Sequence, residues 1–319
     1  MPNLLSLLAC PDCRDSLRRS GPALTCEGCG RLFEIAGGIP ILLTEASDDP
    51  QKLRQTRHFD DEQADELEIE RPHGTPALYE WQYLEKFRRS VTRLGPLFGG
   101  ATALTVCGGS GMDAEFLARA GCVVISSDIS LGAARRAQER ARRHGLPITP
   151  IVADAERLPL ADRAVDLVSV HDGLHHLERP LSGLGEMTRV AGSAVSVTEP
   201  ARAAVTALAV RLGLALEVEE AGNPVTRLTL DELAAGLRQS GFRVLEAERY
   251  AMYFRHRPGR VIAALSSPVL FPLMTLGFRV VNGVAGPLGN KLTVQAVRIG
   301  DRAPVHPRAP SRVPERSRA

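Results

Sequence analysis

Apolar residues recur along this chain in two rhythms. From Thr102 onward, short apolar runs of strand length alternate with stretches of helical periodicity, the pattern of βαβ units on a parallel sheet. The runs predict strands at 102–107, 122–127, 148–153, 165–170 and 193–198, with helices at Asp113–Ala120 and Leu131–His144 among the connections. Ser130 is placed to cap the second helix and Gly145 to end it. A helix over 229–240 leads through Gly241 to a strand at 242–250, and a last strand falls at 291–299. The expected fold class is α/β, a doubly wound, mostly parallel sheet of seven strands. Ahead of it, Leu78, Trp81, Leu84, Phe87, Val91 and Leu94 give Ala77–Leu94 one apolar side at helical spacing. The stretch 45–76 is polar and acidic through Asp48, Asp49, Asp60, Asp61, Glu62, Asp65 and Glu66, and reads as a linker.

Length and charge narrow the function classes. A chain of 319 residues has room for one substantial domain, expected at 77–300, and a small module at 1–44. The net charge of +2 is uneven: in the tail 301–319 five arginines face only Asp301 and Glu315, leaving the body near −1. The tail also carries four prolines and reads as disordered. A near-neutral body has no basic field of the kind nucleic acid attracts, so nucleic acid is not the expected partner. The long apolar segment 261–288 is broken by Pro268, Pro272, Gly277, Gly283 and Gly286, whereas a membrane-spanning helix needs about 20 uninterrupted apolar residues. No secretory signal is legible, and the cytoplasm is the expected compartment.

The sharpest local signal is Cys10-Pro-Asp-Cys13, followed after twelve residues by Cys26-Glu-Gly-Cys29. Two such knuckles supply four thiolates for tetrahedral ligation, so residues 1–44 are expected to form a zinc ribbon. Four thiolates leave no open position, which makes the Zn2+ structural. With a linker behind it, the ribbon should unfold alone on chelation.

Candidate chemistry collects at the strand ends. Gly108-Gly109-Ser110-Gly111 follows the first strand and opens a helix, where a Cβ would keep a ligand off the backbone. Asp128 ends the second strand with Ile129 beside it, placed for its carboxylate to accept from ribose hydroxyls. Asp154 and Ala155 end the third, suited to an adenine amine with a small apolar neighbour. Together LTVCGGSGMDAEFLARAG, VVISSDIS, VADAERLP and AVDLVSVHDGLHHL, followed by GEMTRV, resemble the motif series of class I methyltransferases that use S-adenosylmethionine, especially the subgroup of ubiquinone and menaquinone biosynthesis. The resemblance covers about 100–199 well and 229–299 in outline. It implies that Gly108, Gly109 and Gly111 hold the methionine part of the cofactor, Asp128 the ribose and Asp154 the adenine, with His171 bordering cofactor and acceptor. Thr105 and Cys107 depart from it, standing where the family carries an acid and a glycine. That acid helps hold the cofactor's ammonium group.

His171, Asp172, His175 and His176 follow the fourth strand, with His171 and His175 one helical turn apart. A histidine there can take the proton of the methylated nucleophile, so His171 and His175 are the candidate catalytic residues. The acceptor is expected to be a small molecule entering over His171 and Glu199-Pro200, with Tyr79 and Trp81 on one side. Arg255, Arg257 and Arg260 precede 261–288, which reads as a lid over an apolar acceptor, a peripheral membrane contact or additional core. The ribbon resembles small zinc proteins that partner tRNA and protein methyltransferases, and one fused to an rRNA methyltransferase. One alternative is therefore a zinc-ribbon rRNA or tRNA methyltransferase; Thr105 and Cys107 suggest a second, a non-catalytic cofactor-binding relative; a third, another nucleotide enzyme such as an oxidoreductase, is disfavoured by the histidine loop.

Overall fold

A computed structural model describes residues 4–47, 49–61, 66–202, 227–252 and 257–300. The tail 301–319, Arg255 and the acids Asp48, Glu62 and Asp65 lie outside the described residues. Eleven strands pair in one continuous series. The first four, β1 (Leu17–Ser20), β2 (Ala23–Cys26), β3 (Leu32–Ala36) and β4 (Ile39–Leu42), belong to the ribbon, which begins with the short helix α1 (Leu4–Leu7). Three helices follow: α2 (Pro50–Asp61), α3 (Glu66–Glu70) and α4 (Ala77–Val91).

The alternating region then runs β5 (Thr102–Val106), α5 (Met112–Arg119), β6 (Val123–Asp128), α6 (Leu131–His144), β7 (Ile148–Ala153), β8 (Val165–His171), α7 (Pro180–Val190) and β9 (Ala191–Pro200). It closes with α8 (Leu230–Gln239), β10 (Phe242–Tyr250), α9 (Arg260–Leu265), α10 (Leu270–Ala285) and β11 (Lys291–Arg298). All seven expected strands are present as β5 to β11. Their order is β7-β6-β5-β8-β9-β11-β10, parallel except for β11, which is antiparallel to both neighbours. The connections change direction at β5, which pairs with both β6 and β8 and so opens a crevice at the strand ends. Both faces of the inner strands are covered, which is why their sequences read as near-continuous apolar runs. The predicted caps form: Ser130 Oγ accepts from the Ala133 amide at 3.0 Å, and Gly145 takes the left-handed conformation.

Two expectations are corrected. The ribbon is not a separate bead, because β4 pairs in parallel with β7, placing Leu42 opposite Ala153. Ala9 donates to the Pro159 carbonyl, and Arg14 forks onto Glu186 of α7 at 2.9 and 3.1 Å, so the ribbon grips both the connection after β7 and α7. Nor is 45–76 a linker. Lys52 and Gln55 on α2 are buried, and Asp60 accepts from Ser130 Oγ at 2.6 Å and the Gly132 amide at 2.8 Å at the start of α6. The segment docks through charged and polar partners, a mode that leaves no apolar stripe to read. The buried side of α4 is likewise rotated from the expected one, with Tyr79, Tyr83, Lys86 and Ser90 inside and Leu84 exposed.

The four cysteine sulfurs lie within 4.8 Å of one another, with Cys10–Cys29 at 3.8 Å and Cys13–Cys26 at 3.3 Å. Zn–S bonds of about 2.3 Å around a tetrahedral ion put sulfurs roughly 3.8 Å apart, so the set fits Zn2+. Because Leu8 and Leu42 of this region sit in the main core, zinc loss reaches beyond the ribbon. Exposing them costs about 1.5–3 kcal/mol each. Chelation or Cys26→Ser should therefore lower the melting temperature of the whole domain by roughly 6–24 °C, at about 2–4 °C per kcal/mol. Differential scanning calorimetry with and without chelator checks this; an unchanged main transition would restore an independent ribbon.

Candidate active site

The glycine turn after β5 is held tightly from below. A Cβ on Gly108 would stand 2.5 Å from Ser126 Oγ, and one on Gly111 would stand 2.9 Å from the Ala137 Cβ of α6. Gly111 also has φ of +77°, which a side chain resists. Arg140, fully buried, donates to the Ser110 carbonyl at 2.8 Å and pairs with Glu115 at 2.7 Å, fixing the turn against α6. Thr105 spends its hydroxyl on Ser126 Oγ at 3.2 Å inside the sheet. Asp128 at the end of β6 accepts from the Gly109 amide at 2.9 Å and the Ser130 amide at 3.0 Å, joining turn and strand end, and burial pushes its carboxyl upward. Ile129, next to it, is half-buried.

Asp154 reaches the expected strand end, but its carboxylate is engaged. Oδ2 receives Lys52 Nζ at 2.7 Å and Ser47 Oγ at 3.2 Å, and Oδ1 receives the Glu156 amide at 2.9 Å. Lys52 extends to Glu156 at 3.4 Å, which also binds Arg179. Asp154 thus ties α2 to the sheet edge, and an adenine amine would have to share Oδ2. Ala155, just beyond, is buried.

The loop after β8 is organised by Glu199 at the end of β9. Its fully enclosed carboxylate accepts from the Gly173 amide at 2.9 Å, the Leu174 amide at 2.7 Å and His175 Nδ1 at 2.6 Å. His175, expected as a catalytic residue, is buried with its Nδ1 held by Glu199, so its ring braces this loop. His176 turns toward α2, its ring meeting Phe59 edge-on at 6.2 Å. Asp172, at φ +55°, lies between Lys86 Nζ at 2.7 Å and Lys291 Nζ at 2.5 Å. Both ammonium groups, against the cost of burial, hold its carboxyl well below the usual range.

His171 closes β8 beside the first turn of α5. Its side chain is 7% exposed, its Nδ1 stands 3.7 Å from Asp113 Oδ1 of α5, and its Nε2 has no hydrogen-bond partner among the described residues. Burial, reinforced by Lys86 and Lys291, drives its pKa well below the ordinary value, so the ring is neutral. Burial pushes Asp113 up to about 7. Tyr79 packs edge-on to Tyr83 inside the core, and Trp81 lies against Phe278 of α10, so neither forms the expected wall. A concavity of about 360 Å3 opens instead between α10 and the ends of β10 and β11, lined by Ala251, Met252, Phe278, Val281, Asn282 and Asn290.

Lys52, Lys86, Asp113 and Lys291 escaped sequence reasoning. The available signal was Lys86 falling in helical register with Tyr79, Tyr83 and Ser90. His73, Glu115 and His144 also cluster, but Arg140 and Arg119 already neutralise Glu115 and oppose a dication.

Residues 104–194 match the family model described as a methyltransferase domain. The matched span, from β5 into β9, is a methyltransferase domain. It is similar to the demethylmenaquinone methyltransferase of Thermobifida fusca, 33% identical over 115 residues that make up 34% of this chain and 48% of that protein. The enzyme of the same name from Renibacterium salmoninarum is 34% identical over 105 residues, 33% and 43% of the two chains. The chain spans about half the length of these curated relatives. A solved complex from Haloferax volcanii, between the Trm112 methyltransferase activator and a methyltransferase, aligns in fold with a TM-score of 0.51 at 17% identity, covering 75% of this chain and 97% of that one.

In this methyltransferase domain His175→Phe would leave the enclosed Glu199 one donor short. We expect a loss of about 1–3 kcal/mol in denaturant unfolding, with cofactor affinity altered less than tenfold. A stability equal to wild type would return His175 to the list of catalytic candidates.

Proposed function

We propose that the protein transfers a methyl group from S-adenosylmethionine to a small apolar acceptor, of the quinone kind that its relatives' names specify. The observation that carries this reading is the convergence of Gly108–Gly111, Asp128 and His171 on the crevice where the strand order reverses. The residues fit the cofactor: Gly108 and Gly111 let the turn pack closely on β6 and α6, Gly109 leaves its outer side bare, and Asp128 offers a carboxylate for the ribose beside Ile129, with the small Ala155 next to Asp154 for adenine. When bound, S-adenosylmethionine supplies an electrophilic methyl group on sulfur. The chain supplies alignment and exclusion of water, which α2 and the Glu199-braced loop assist. Neutral His171 is placed to receive the acceptor's proton when the nucleophile carries one.

The apolar acceptor is supported by α10. Phe271, Met274, Phe278 and Asn282 turn inward, and Asn282 exchanges hydrogen bonds with both backbone groups of Ala251 at 2.8 and 3.1 Å. On the opposite face Val269, Leu273, Leu276, Val280 and Val284 are exposed, Val284 at 83%. Solvent-facing helix positions are ordinarily polar, and a contiguous apolar row marks a contact surface. Arg257, Arg260 and Arg279 are exposed on or beside it, which suits an anionic lipid surface. Among the described residues no helix is long and apolar enough to cross a membrane, so the contact would be peripheral.

Asp128→Ala should weaken S-adenosylmethionine binding by about 1.5–3 kcal/mol in calorimetry; an unchanged dissociation constant would count against the cofactor assignment. Vesicles containing phosphatidylserine should sediment the protein at low salt and release it as salt rises, with each arginine contributing about 1 kcal/mol. Leu276→Glu with Val280→Glu should abolish sedimentation. Indifference of the wild type to vesicles, or concentration-dependent dimerisation that hides this face, would reject membrane contact.

A further inference from the structure

The buried charges around the crevice are matched almost one for one. Lys86 and Lys291 share Asp172, Arg71 pairs with Glu68 at 2.7 Å, Arg140 pairs with Glu115, and Lys52 serves Asp154 and Glu156. Asp113 is the exception. It sits in the first turn of α5, two residues after Gly111, with its side chain 18% exposed. Among the described residues it accepts no hydrogen bond, and His171 Nδ1 stands 3.7 Å away, beyond bonding range. His171 is neutral and its Nε2 is also unpartnered. An enclosed carboxylate that accepts no hydrogen bond is costly: burial lifts its pKa to about 7 although Lys86, Arg71 and Arg140, each already paired with another acid, act against the rise from a distance. The side chain therefore awaits a cationic partner from outside the chain. The adjoining glycine turn offers that partner a bare backbone on one side, and Thr105, whose hydroxyl is committed to Ser126, offers it no charge.

We propose that Asp113 is the residue that binds the α-ammonium group of the cofactor's amino-acid part, and so sets selectivity for cofactors that carry one. The inference rests on the methyltransferase reading and assigns Asp113 to the cofactor, not to the acceptor's proton.

The test compares two probes that differ in this group: S-adenosylmethionine, which has the amino-acid part, and 5′-methylthioadenosine, which lacks it. Isothermal titration of the full chain and of Asp113→Asn gives four dissociation constants, and thermal melts check that the isosteric variant is folded. Asp113→Asn should weaken S-adenosylmethionine roughly ten- to hundred-fold, the worth of a charged hydrogen bond, and leave 5′-methylthioadenosine within about twofold. Asp113→Glu should recover part of the loss. Equal weakening of both probes, or of neither, would overturn the assignment, as would reduced turnover at unchanged cofactor affinity, which would put Asp113 on the acceptor side. A wild type that binds neither probe would instead sink the methyltransferase reading itself, and this inference with it.

Discussion

The carboxylate of Glu199 is wholly enclosed at the end of β9, and the reaction side of the molecule is built around it. A buried carboxylate is tolerated only where donors replace its lost hydration. Here two backbone amides and the His175 ring do so, all from the loop that follows β8. That loop then has little freedom. It presents Asp172 to two lysines from opposite directions, one on α4 and one on β11, and leaves His171 at the crevice. Helix, loop and strand are thus joined by one chain of charge-assisted bonds.

The same arrangement recurs on the other side of the crevice. Asp154 and Glu156 collect Lys52, Ser47 and Arg179, which holds α2 over the end of β7. Arg140 does the corresponding work beneath the glycine turn. Such buried pairs contribute modest net stability because desolvation offsets attraction, but removing one partner is strongly unfavourable. Their effect is to specify geometry. Against this matched background Asp113 and His171 stand out as polar groups still available to a ligand.

Two additions flank the seven-stranded sheet at opposite ends. The ribbon extends the β7 edge through β4, covering an otherwise open row of backbone groups. The α9–α10 hairpin lies beyond β10 and β11, clamped by Asn282 and by Trp81 against Phe278, and turns an apolar face outward.

Local chemistry was enough to determine much of this protein. The alternation of apolar runs and helical stretches specified seven strands, since a strand covered on both faces must be apolar throughout. Ser130 and Gly145 marked the ends of α6 because each satisfies a requirement of the adjacent turn alone, and four cysteines in two knuckles declared a zinc ligand set. What tertiary structure decided is everything held by partners distant in sequence. Lys52 meets Asp154 across 102 residues, and Lys86 meets Asp172 across 86. No periodicity records such pairs, so an acidic stretch read as a linker and a buried lysine was passed over. His171 and His175 were indistinguishable as residue types one turn apart; only the fold set one against Glu199 and the other beside Asp113. Pairing of that kind depends on which groups burial brings together, and burial is a property of the folded chain.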